Sequence, residues 1–241
     1  MVSFREALLG LETLGGGAGR IEVAERTDGV LRLEGLTLTL ADGRAALDPP
    51  LVEVRPGERV LVAGEPGCGK STLFRALAGL WPWGSGRVDL PPRSEVMFVP
   101  QRPYLPPGSL RAALAYPAGP DRFPEAAMRA ALERVGLGHL AASLGREARW
   151  DRELSEEEQR QLTVARVLLH APRWVVVDEG APRLDEETRG QALALVRGEL
   201  AGTAVIGFSR RAPPAAPYDR VVRLVRLPGE TGLRLGPAAA A

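Results

Sequence analysis

The chain has 241 residues, of which 45% are hydrophobic and 25% charged, a balance typical of a soluble globular protein. Lys and Arg together number 31 against 30 Asp and Glu, and this net charge of +1 gives no basic surplus for binding nucleic acid. The longest uncharged stretch, 76–86, is shorter than the about 20 apolar residues of a membrane-spanning helix, and we expect no signal peptide. The one cysteine, Cys68, fits a reducing compartment, which predicts a cytoplasmic protein.

The basic residues are distributed unusually between the two residue types. Among the 31 Lys and Arg residues, only Lys70 is a lysine. On most solvated surfaces the two types replace each other, whereas a compact ammonium is favoured where a side chain must reach a crowded anion. The composition therefore singles out Lys70 as a candidate anion-binding group.

Apolar patterns predict a succession of strands and helices along the chain. Residues 1–29 form a leader, in which apolar residues at helical spacing are followed by glycines. Apolar residues alternate from Leu31 to Leu40, which is typical of a strand. Short apolar runs predict buried strands at 60–63, 96–99, 174–177 and 204–208. Helical patterns predict helices at 70–80, 156–170 and 186–200, with a proline-punctuated and then helical stretch over 104–155. Strands that alternate with helices indicate an α/β fold with a mostly parallel central sheet.

The sharpest motif runs from Gly64 to Ser71 and reads Gly-Glu-Pro-Gly-Cys-Gly-Lys-Ser, a full G-x-x-x-x-G-K-S between an apolar strand and a predicted helix. Glycines allow backbone N–H groups to surround phosphate oxygens at the positive end of a helix. We expect Lys70 to reach the β- and γ-phosphates and the Ser71 hydroxyl to bind Mg²⁺. The alternative is a glycine turn that only joins strand to helix, and the complete motif disfavours it.

Two acidic residues, Asp178 and Glu179, follow the apolar run at 174–177. A carboxylate at the tip of a buried strand beside a phosphate loop can hold Mg²⁺, which is the role expected for Asp178. Glu179 is then placed to orient or deprotonate an attacking water. A solvated strand end is the alternative interpretation, and the phosphate loop upstream favours the catalytic one.

Together these motifs resemble the nucleotide-binding domain of an ABC transporter over roughly residues 30 to 225. The segments 75–82, 97–111 and 165–174 are most similar to subfamily D, which contains peroxisomal acyl-CoA transporters and bacterial peptide- or cobalamin-exporter relatives. The resemblance implies a P-loop NTPase with a mostly parallel central sheet, an N-terminal antiparallel β element and a small α-helical subdomain at about 102–160.

The resemblance also implies a domain organisation and partners. Residues 1–29 correspond to a linker from a membrane domain, 30–227 to the ATP-binding domain and 228–241 to a flexible tail. The membrane domain is expected on a separate chain or in a part removed from this one. Two such chains form a homodimer or heterodimer through the nucleotide sites, on the cytoplasmic face of the membrane, with no role for nucleic acid.

Carried over residue by residue, the resemblance implies ATP and Mg²⁺ as cofactors. Gln101 matches the glutamine that contacts Mg²⁺ and the attacking water and links the site to the membrane domain. Asp178 and Glu179 match the Walker B aspartate and the catalytic glutamate. The segment 154–159, Leu-Ser-Glu-Glu-Glu-Gln, occupies the position of the signature, which contacts ATP bound to the other protomer. The implied nucleotide-binding residues are Gly64, Glu65, Pro66, Gly67, Cys68, Gly69, Lys70, Ser71, Thr72, Ser155, Glu157 and the D-loop aspartate Asp185.

Three departures from the family pattern bear on activity. Glu157 replaces the signature glycine, and its bulk and negative charge would face an anionic ligand. Ser209 stands where the family has its switch histidine, a catalytic position, and a serine hydroxyl cannot carry positive charge to the γ-phosphate. No aromatic residue lies between Phe4 and Phe74, so the ring that stacks on adenine in the family is missing.

Two functions from different classes follow. The first is the ATPase subunit of a transporter, which couples Mg-ATP binding and weak hydrolysis to transport, and the retained Glu179 favours it. The second is a degenerate regulatory module that binds nucleotide with little or no turnover, which Glu157 and Ser209 favour. A P-loop kinase fits poorly, because the segments around Gln101 and Ser155 would have no purpose.

Overall fold

The computed structural model describes residues 19–178, 198, 200–210 and 218–228. In these ranges the strands are β1 (Glu22–Glu25), β2 (Leu31–Leu40), β3 (Gly43–Asp48), β4 (Leu51–Val54), β5 (Arg59–Ala63), β6 (Gly84–Leu90), β7 (Val96–Val99), β8 (Gly108–Ser109), β9 (Glu147–Ala148), β10 (Trp174–Val177), β11 (Ala204–Ser209) and β12 (Arg220–Leu227). The α-helices there are α1 (Lys70–Leu77), α2 (Leu110–Ala115), α3 (Glu125–Arg134), α4 (Trp150–Glu153) and α5 (Glu156–His170). None of the helices within these ranges is both long and apolar enough to cross a membrane.

One large sheet organises the strands in the order β1-β6-β2-β3-β12-β5-β11-β10-β7, with β4 paired to β2. Neighbouring strands from β12 to β7 run parallel. On the other side of β12, strands β3, β2 and β6 pair antiparallel, as do β2 and β4. β8 and β9 form a separate two-stranded ribbon. The predicted α/β class is confirmed, with an antiparallel section beside the parallel strands.

The central parallel strands β10 and β11 are covered on both faces, as their sequences require. β10 reads Trp-Val-Val-Val and β11 reads Ala-Val-Ile-Gly-Phe-Ser, and nearly every residue in them is buried. Helix α1 packs on one face through its buried Leu73, Phe74, Ala76 and Leu77. Phe74 meets Phe98 of β7 and Phe208 of β11 edge-on, with ring centroids 5.7 and 6.2 Å apart. These contacts fix the start of α1 relative to the ends of the parallel strands.

A second hydrophobic core lies among the helices between β7 and β10. Its largest member is Trp150, which is buried and donates its indole N–H to the Gly108 carbonyl at 2.9 Å. Other buried residues of this core include Leu110, Met128, Leu132, Leu137 and Leu162. This core gives the helical part of the chain a packing centre of its own. Helix α5 spans Glu156–His170, as the sequence predicted.

The structure differs from the sequence predictions at the end of α1 and within the leader segment. The helix expected to reach residue 80 ends at Leu77, because Gly79 adopts a φ of +76° and its N–H turns back to the Ala76 carbonyl. Strand β1 lies inside the leader segment and pairs in parallel with β6, which extends the sheet beyond the boundary expected at residue 30. Most of the helix predicted at 186–200 lies outside the described residues.

Candidate functional site

The loop from Gly64 to Gly69 joins β5 to α1 and depends on its glycines. Gly67 and Gly69 have φ values of +76° and +106°, a region that side chains strongly disfavour. Gly64 is constrained by space instead, since a Cβ there would lie 2.6 Å from the Cys68 Sγ and 2.7 Å from the Leu224 carbonyl oxygen. The glycines therefore allow the loop to curl tightly at the start of the helix.

Lys70 folds back over this loop. Its ammonium donates hydrogen bonds to the carbonyl oxygens of Gly64 at 2.6 Å and Glu65 at 2.9 Å, and it lies 3.7 Å from the Cys68 Sγ. The positive charge is thus held against the first residues of the loop. Cys68 is buried behind it, with 3% of its surface exposed.

The first turn of α1 presents backbone donors to the same region. The earliest backbone hydrogen bond of the helix runs from the Leu73 N–H to the Gly69 carbonyl at 2.8 Å, so the preceding N–H groups have no intrahelical acceptor. The turn carries no acidic residue, Ser71 is exposed and Thr72 is half-buried. Free N–H groups, a helix dipole and a nearby ammonium together favour an anion such as phosphate.

Three further predicted residues lie at the carboxyl ends of the parallel strands next to this loop. Ser209 ends β11, pairs in register with Ala63, and accepts a hydrogen bond at its carbonyl from the Gly64 N–H at 3.3 Å. Asp178 follows β10 and donates its backbone N–H to the Val99 carbonyl at 2.9 Å, and Gln101 lies two residues past Val99. Because the carboxyl ends of parallel strands share one edge of a sheet, all three lie at the edge that carries the phosphate loop.

The donor set at this edge suits a hard divalent cation bound with phosphate. It comprises the Ser71 hydroxyl, the half-buried Asp178 carboxylate and the exposed Gln101 amide. Mg²⁺ keeps several waters and substrate phosphates as ligands, so one or two protein oxygens suffice. Among the described residues no group of three or more His, Cys, Asp or Glu side chains is arranged to hold a metal ion by itself.

Ser155 and Glu157 lie at the start of α5 rather than at this edge of the sheet. Ser155 is the N-cap and forms a capping box with Glu158, in which its Oγ accepts the Glu158 N–H at 3.2 Å and its own N–H donates to the Glu158 carboxylate at 2.8 Å. The Ser155 hydroxyl also donates to this carboxylate at 2.8 Å. The Ser155 hydrogen bonds lower the pKa of Glu158 below its ordinary value.

Two arginines of α5 were missed by the sequence reasoning. Arg160 binds the Glu157 carboxylate at 2.7 Å and the Glu156 carboxylate at 3.2 Å. Arg166 is buried and donates to the carbonyl oxygens of Ala113 at 2.7 Å and Tyr104 at 2.8 Å, and this burial lowers its pKa to about 10. The only available signal for Arg166 was its position on the apolar face of the predicted helix.

Two predicted site residues, Glu179 and Asp185, lie outside the described residues.

Comparisons with known proteins agree with these features. The sequence model of the ABC transporter family matches residues 47–181. An uncharacterized ABC transporter ATP-binding protein of Haemophilus influenzae is 38% identical over 155 residues, which cover 64% of this chain and 26% of that protein. The human ATP-binding cassette sub-family D member 3 is 34% identical over 185 residues, which cover 72% of this chain and 27% of that protein. The chain therefore spans about a quarter of the length of these relatives.

A solved structure shares the fold. It is described as a bacterial Atm1-family ABC exporter with ATP bound, and it aligns with a TM-score of 0.69 at 22% sequence identity. The alignment covers 90% of this chain and 40% of that chain. At this identity the likeness supports the P-loop NTPase fold.

Proposed function

The chain belongs to the ABC transporter family as an ATP-binding domain, and we propose that it couples Mg-ATP binding and hydrolysis to transport by a membrane partner. The observation that carries the proposal is the phosphate loop at Gly64–Ser71. Gly67 and Gly69 adopt positive φ values there, and the loop leads into a helix whose first turn has no acidic residue. This arrangement favours a polyphosphate over a neutral ligand.

In this proposal the segment from Gly64 to Thr72 surrounds the triphosphate. Backbone N–H groups of the loop and of the first turn of α1 donate to phosphate oxygens. The Lys70 ammonium exchanges its bonds to the Gly64 and Glu65 carbonyls for bonds to the β- and γ-phosphates, which are stronger because both partners are charged.

Ser71, Asp178 and Gln101 are the residues that would hold Mg²⁺. When bound with ATP, Mg²⁺ neutralises charge on the β- and γ-phosphate oxygens. The buried strand β10 and its half-buried neighbour β7 fix the backbone positions of Asp178 and of the turn that leads to Gln101. Glu179 follows Asp178 directly, and we assign it the orientation and deprotonation of the attacking water.

Weak hydrolysis is the second part of the proposal. Ser209 ends the strand beside the phosphate loop, at the position that we assign to the catalytic switch, and it has no charge to give the γ-phosphate. Glu157 places a carboxylate at the first turn of the signature helix. A neutral switch and an anionic signature both reduce stabilisation of the negative charge on the phosphates in the transition state.

Dimerisation and the membrane partner complete the proposal. Ser155, Glu157 and Asp185 would contact ATP held by the phosphate loop of a second protomer, arranged head to tail. The curated relatives are about four times as long as the aligned segment, which leaves room in them for further domains. We infer a transmembrane partner, so that this domain lies peripherally on the cytoplasmic face of the membrane. The partner protomer is either a second copy or a homologous chain with an intact signature.

A regulatory nucleotide-binding module with little or no turnover is the second candidate. The observation that favours it is at Glu157, where one carboxylate oxygen is buried without a hydrogen-bond partner while the other binds Arg160. Such a buried anionic oxygen opposes a second anion nearby.

The test is Mg²⁺-dependent ATP turnover by the purified chain, with Lys70→Ala as the background. We expect a rate above that background but below about 1 s⁻¹, the low end of ordinary enzyme turnover. Glu179→Gln should remove the excess, and a Glu157→Gly/Ser209→His double variant should raise it. A native rate of ordinary size contradicts weak hydrolysis. Turnover by the repaired variant alone supports the regulatory module.

A further inference from the structure

The phosphate loop has different neighbours on its two sides. On one side lie β11, β10 and β7, whose ends carry Ser209, Asp178 and Gln101. On the other side lie β12, β3 and β2. If the proposed function is correct, on which this inference rests, the γ-phosphate and Mg²⁺ face the first side. The nucleoside then extends over β12 and the hairpin formed by β2 and β3.

This hairpin and β12 both touch the phosphate loop. A Cβ on Gly69 would lie 3.1 Å from the Leu40 side chain and 3.7 Å from the Ala45 Cβ. A Cβ on Gly64 would lie 2.7 Å from the Leu224 carbonyl oxygen. The loop is therefore bordered by an aliphatic hairpin at one end and by the backbone of β12 at the other.

Arg226 of β12 projects toward this border. In the strand register it lies opposite Ala45, the hairpin residue that neighbours Gly69. Alternation along β12 puts it on the same face as the buried Leu224 and Val222, which belong to the core that includes Cys68 of the phosphate loop. Its side chain is 37% exposed, so the guanidinium is accessible to a ligand.

Asp42 fixes the position of this guanidinium. Asp42 lies in the turn between β2 and β3, and its carboxylate accepts a hydrogen bond from the Arg226 Nη2 at 2.5 Å. This bond raises the pKa of Arg226, with a smaller contribution from Cys68, and lowers the pKa of Asp42. The pair therefore connects the hairpin tip to the end of β12 beside the phosphate loop.

We propose that the Arg226 guanidinium, held by Asp42, is the platform on which the nucleobase stacks. A guanidinium is planar and stacks on aromatic faces, so it can take the place of a ring. The sequence has no aromatic residue between Phe4 and Phe74, and hence none in the hairpin. Trp81 lies on the other flank of β2, where its indole N–H donates to the Thr39 carbonyl at 3.2 Å and its ring packs on Trp83.

A stacking platform of this kind does not read the edges of the base. A guanidinium interacts with the face of a purine through its π system, which adenine and guanine share. The platform therefore accepts a nucleoside triphosphate whose base presents an aromatic face, and it discriminates little between ATP and GTP.

The experiment measures equilibrium binding, in the presence of Mg²⁺, of a non-hydrolysable ATP analogue, the matching GTP analogue and inorganic tripolyphosphate. The proteins are the full chain and its Arg226→Ala, Arg226→Lys and Arg129→Ala variants. Arg129 is the matched control because it is a partly exposed arginine in an ion pair with Glu125 on helix α3. Tripolyphosphate reports on the phosphate loop alone.

We expect Arg226→Ala to lower the affinity for both purine nucleotide analogues by about fivefold, which corresponds to the loss of one exposed cation–π contact. Tripolyphosphate affinity should stay the same, which also shows that the variant is folded. Arg226→Lys should behave like Arg226→Ala because it keeps the charge and loses the plane, and Arg129→Ala should match the native chain.

Unchanged ATP-analogue affinity in Arg226→Ala overturns the platform, and so does full retention in Arg226→Lys. A native affinity for ATP far above that for GTP overturns the stacking mode. If the native chain binds none of the three ligands, the proposed function itself is refuted. This result is distinct from the outcomes that overturn only the stacking platform.

Discussion

Arg160 donates a hydrogen bond to the carboxylate of Glu157, three residues earlier on α5, at a distance of 2.7 Å. The same guanidinium lies 3.2 Å from Glu156, whose side chain is 90% exposed. The sequence alone suggested that Glu157 would repel the γ-phosphate of a nucleotide at the signature. The ion pair reduces that repulsion, because a guanidinium next to the carboxylate cancels much of its field. Under the proposed function, Arg160 therefore offsets part of the negative charge that Glu157 brings to the signature.

This pairing predicts opposite effects for two substitutions at the signature. Arg160→Ala leaves Glu157 uncompensated and should lower Mg-ATP turnover by about tenfold, the effect of one unit charge at a partly solvated site. Glu157→Gly removes the carboxylate and should raise turnover above that of the native chain. The measurement is steady-state phosphate release, with Lys70→Ala as the background.

The matched control for this pair is Arg129→Ala, because Arg129 makes a similar ion pair with Glu125 one helical turn away on α3. It should turn over at the native rate. If Arg160→Ala also turns over at the native rate, Arg160 does not compensate the signature charge. Folding of each variant is checked by its urea unfolding midpoint.

Gly69 provides a test of the loop conformation. Its φ of +106° is unfavourable for any residue with a side chain, and a Cβ there would press against Leu40 at 3.1 Å. Gly69→Ala should therefore lower the free energy of unfolding by about 1–2 kcal/mol and weaken nucleotide binding. Urea denaturation and nucleotide titration measure the two effects.

Gly145→Ala is the control for this prediction. A Cβ on Gly145 would meet no heavy atom within 4 Å beyond its chain neighbours, and the residue has no positive φ. Its substitution should change the free energy of unfolding by less than about 0.5 kcal/mol. Equal stabilities of the two variants would show that a side chain at Gly69 causes no strain.

The sequence predicted the phosphate loop and its flanking strand and helix, because these signals lie within a dozen consecutive residues. It also located the ends of the strands that precede Asp178 and Gln101. The side-by-side order β5-β11-β10-β7 was beyond its reach, since strand order depends on pairing between distant segments. Arg226 was missed for a related reason: its partner Asp42 lies 184 residues away in the chain. In a chain whose basic residues are nearly all arginine, composition gave no sign of it.

Cys68 should make nucleotide binding sensitive to thiol alkylation. Its Sγ lies 3.7 Å from the Lys70 ammonium, and the space beside Gly64 is already filled. An N-ethylmaleimide adduct would displace Lys70 and distort the loop, so fully modified protein should not bind nucleotide. Because Cys68 is only 3% exposed, modification should be slow, and bound Mg-ATP should slow it further.

The control for alkylation is Cys68→Ser, which should bind nucleotide and resist the reagent, since Cys68 is the only cysteine of the chain. Mass spectrometry measures the extent of modification and a fluorescent nucleotide measures binding. Complete modification with native nucleotide affinity would show that the Cys68 thiol does not lie at the nucleotide site.

His170 should make the stability of the helical part dependent on pH. Burial lowers the pKa of His170 below its ordinary value of 6.5, and its Nε2 lies 2.8 Å from the Ala115 carbonyl, to which the neutral ring donates. Because the unfolded chain binds the proton more readily, the stabilisation that neutral His170 provides is complete above pH 6.5 and is lost as the pH falls through the folded-state pKa.

We expect the free energy of unfolding to fall by about 1 kcal/mol between pH 7.5 and 5.5. His170→Gln keeps a donor for Ala115 but has no titrating group, so it should reduce this fall. An identical pH dependence in native chain and His170→Gln would assign the effect to other groups.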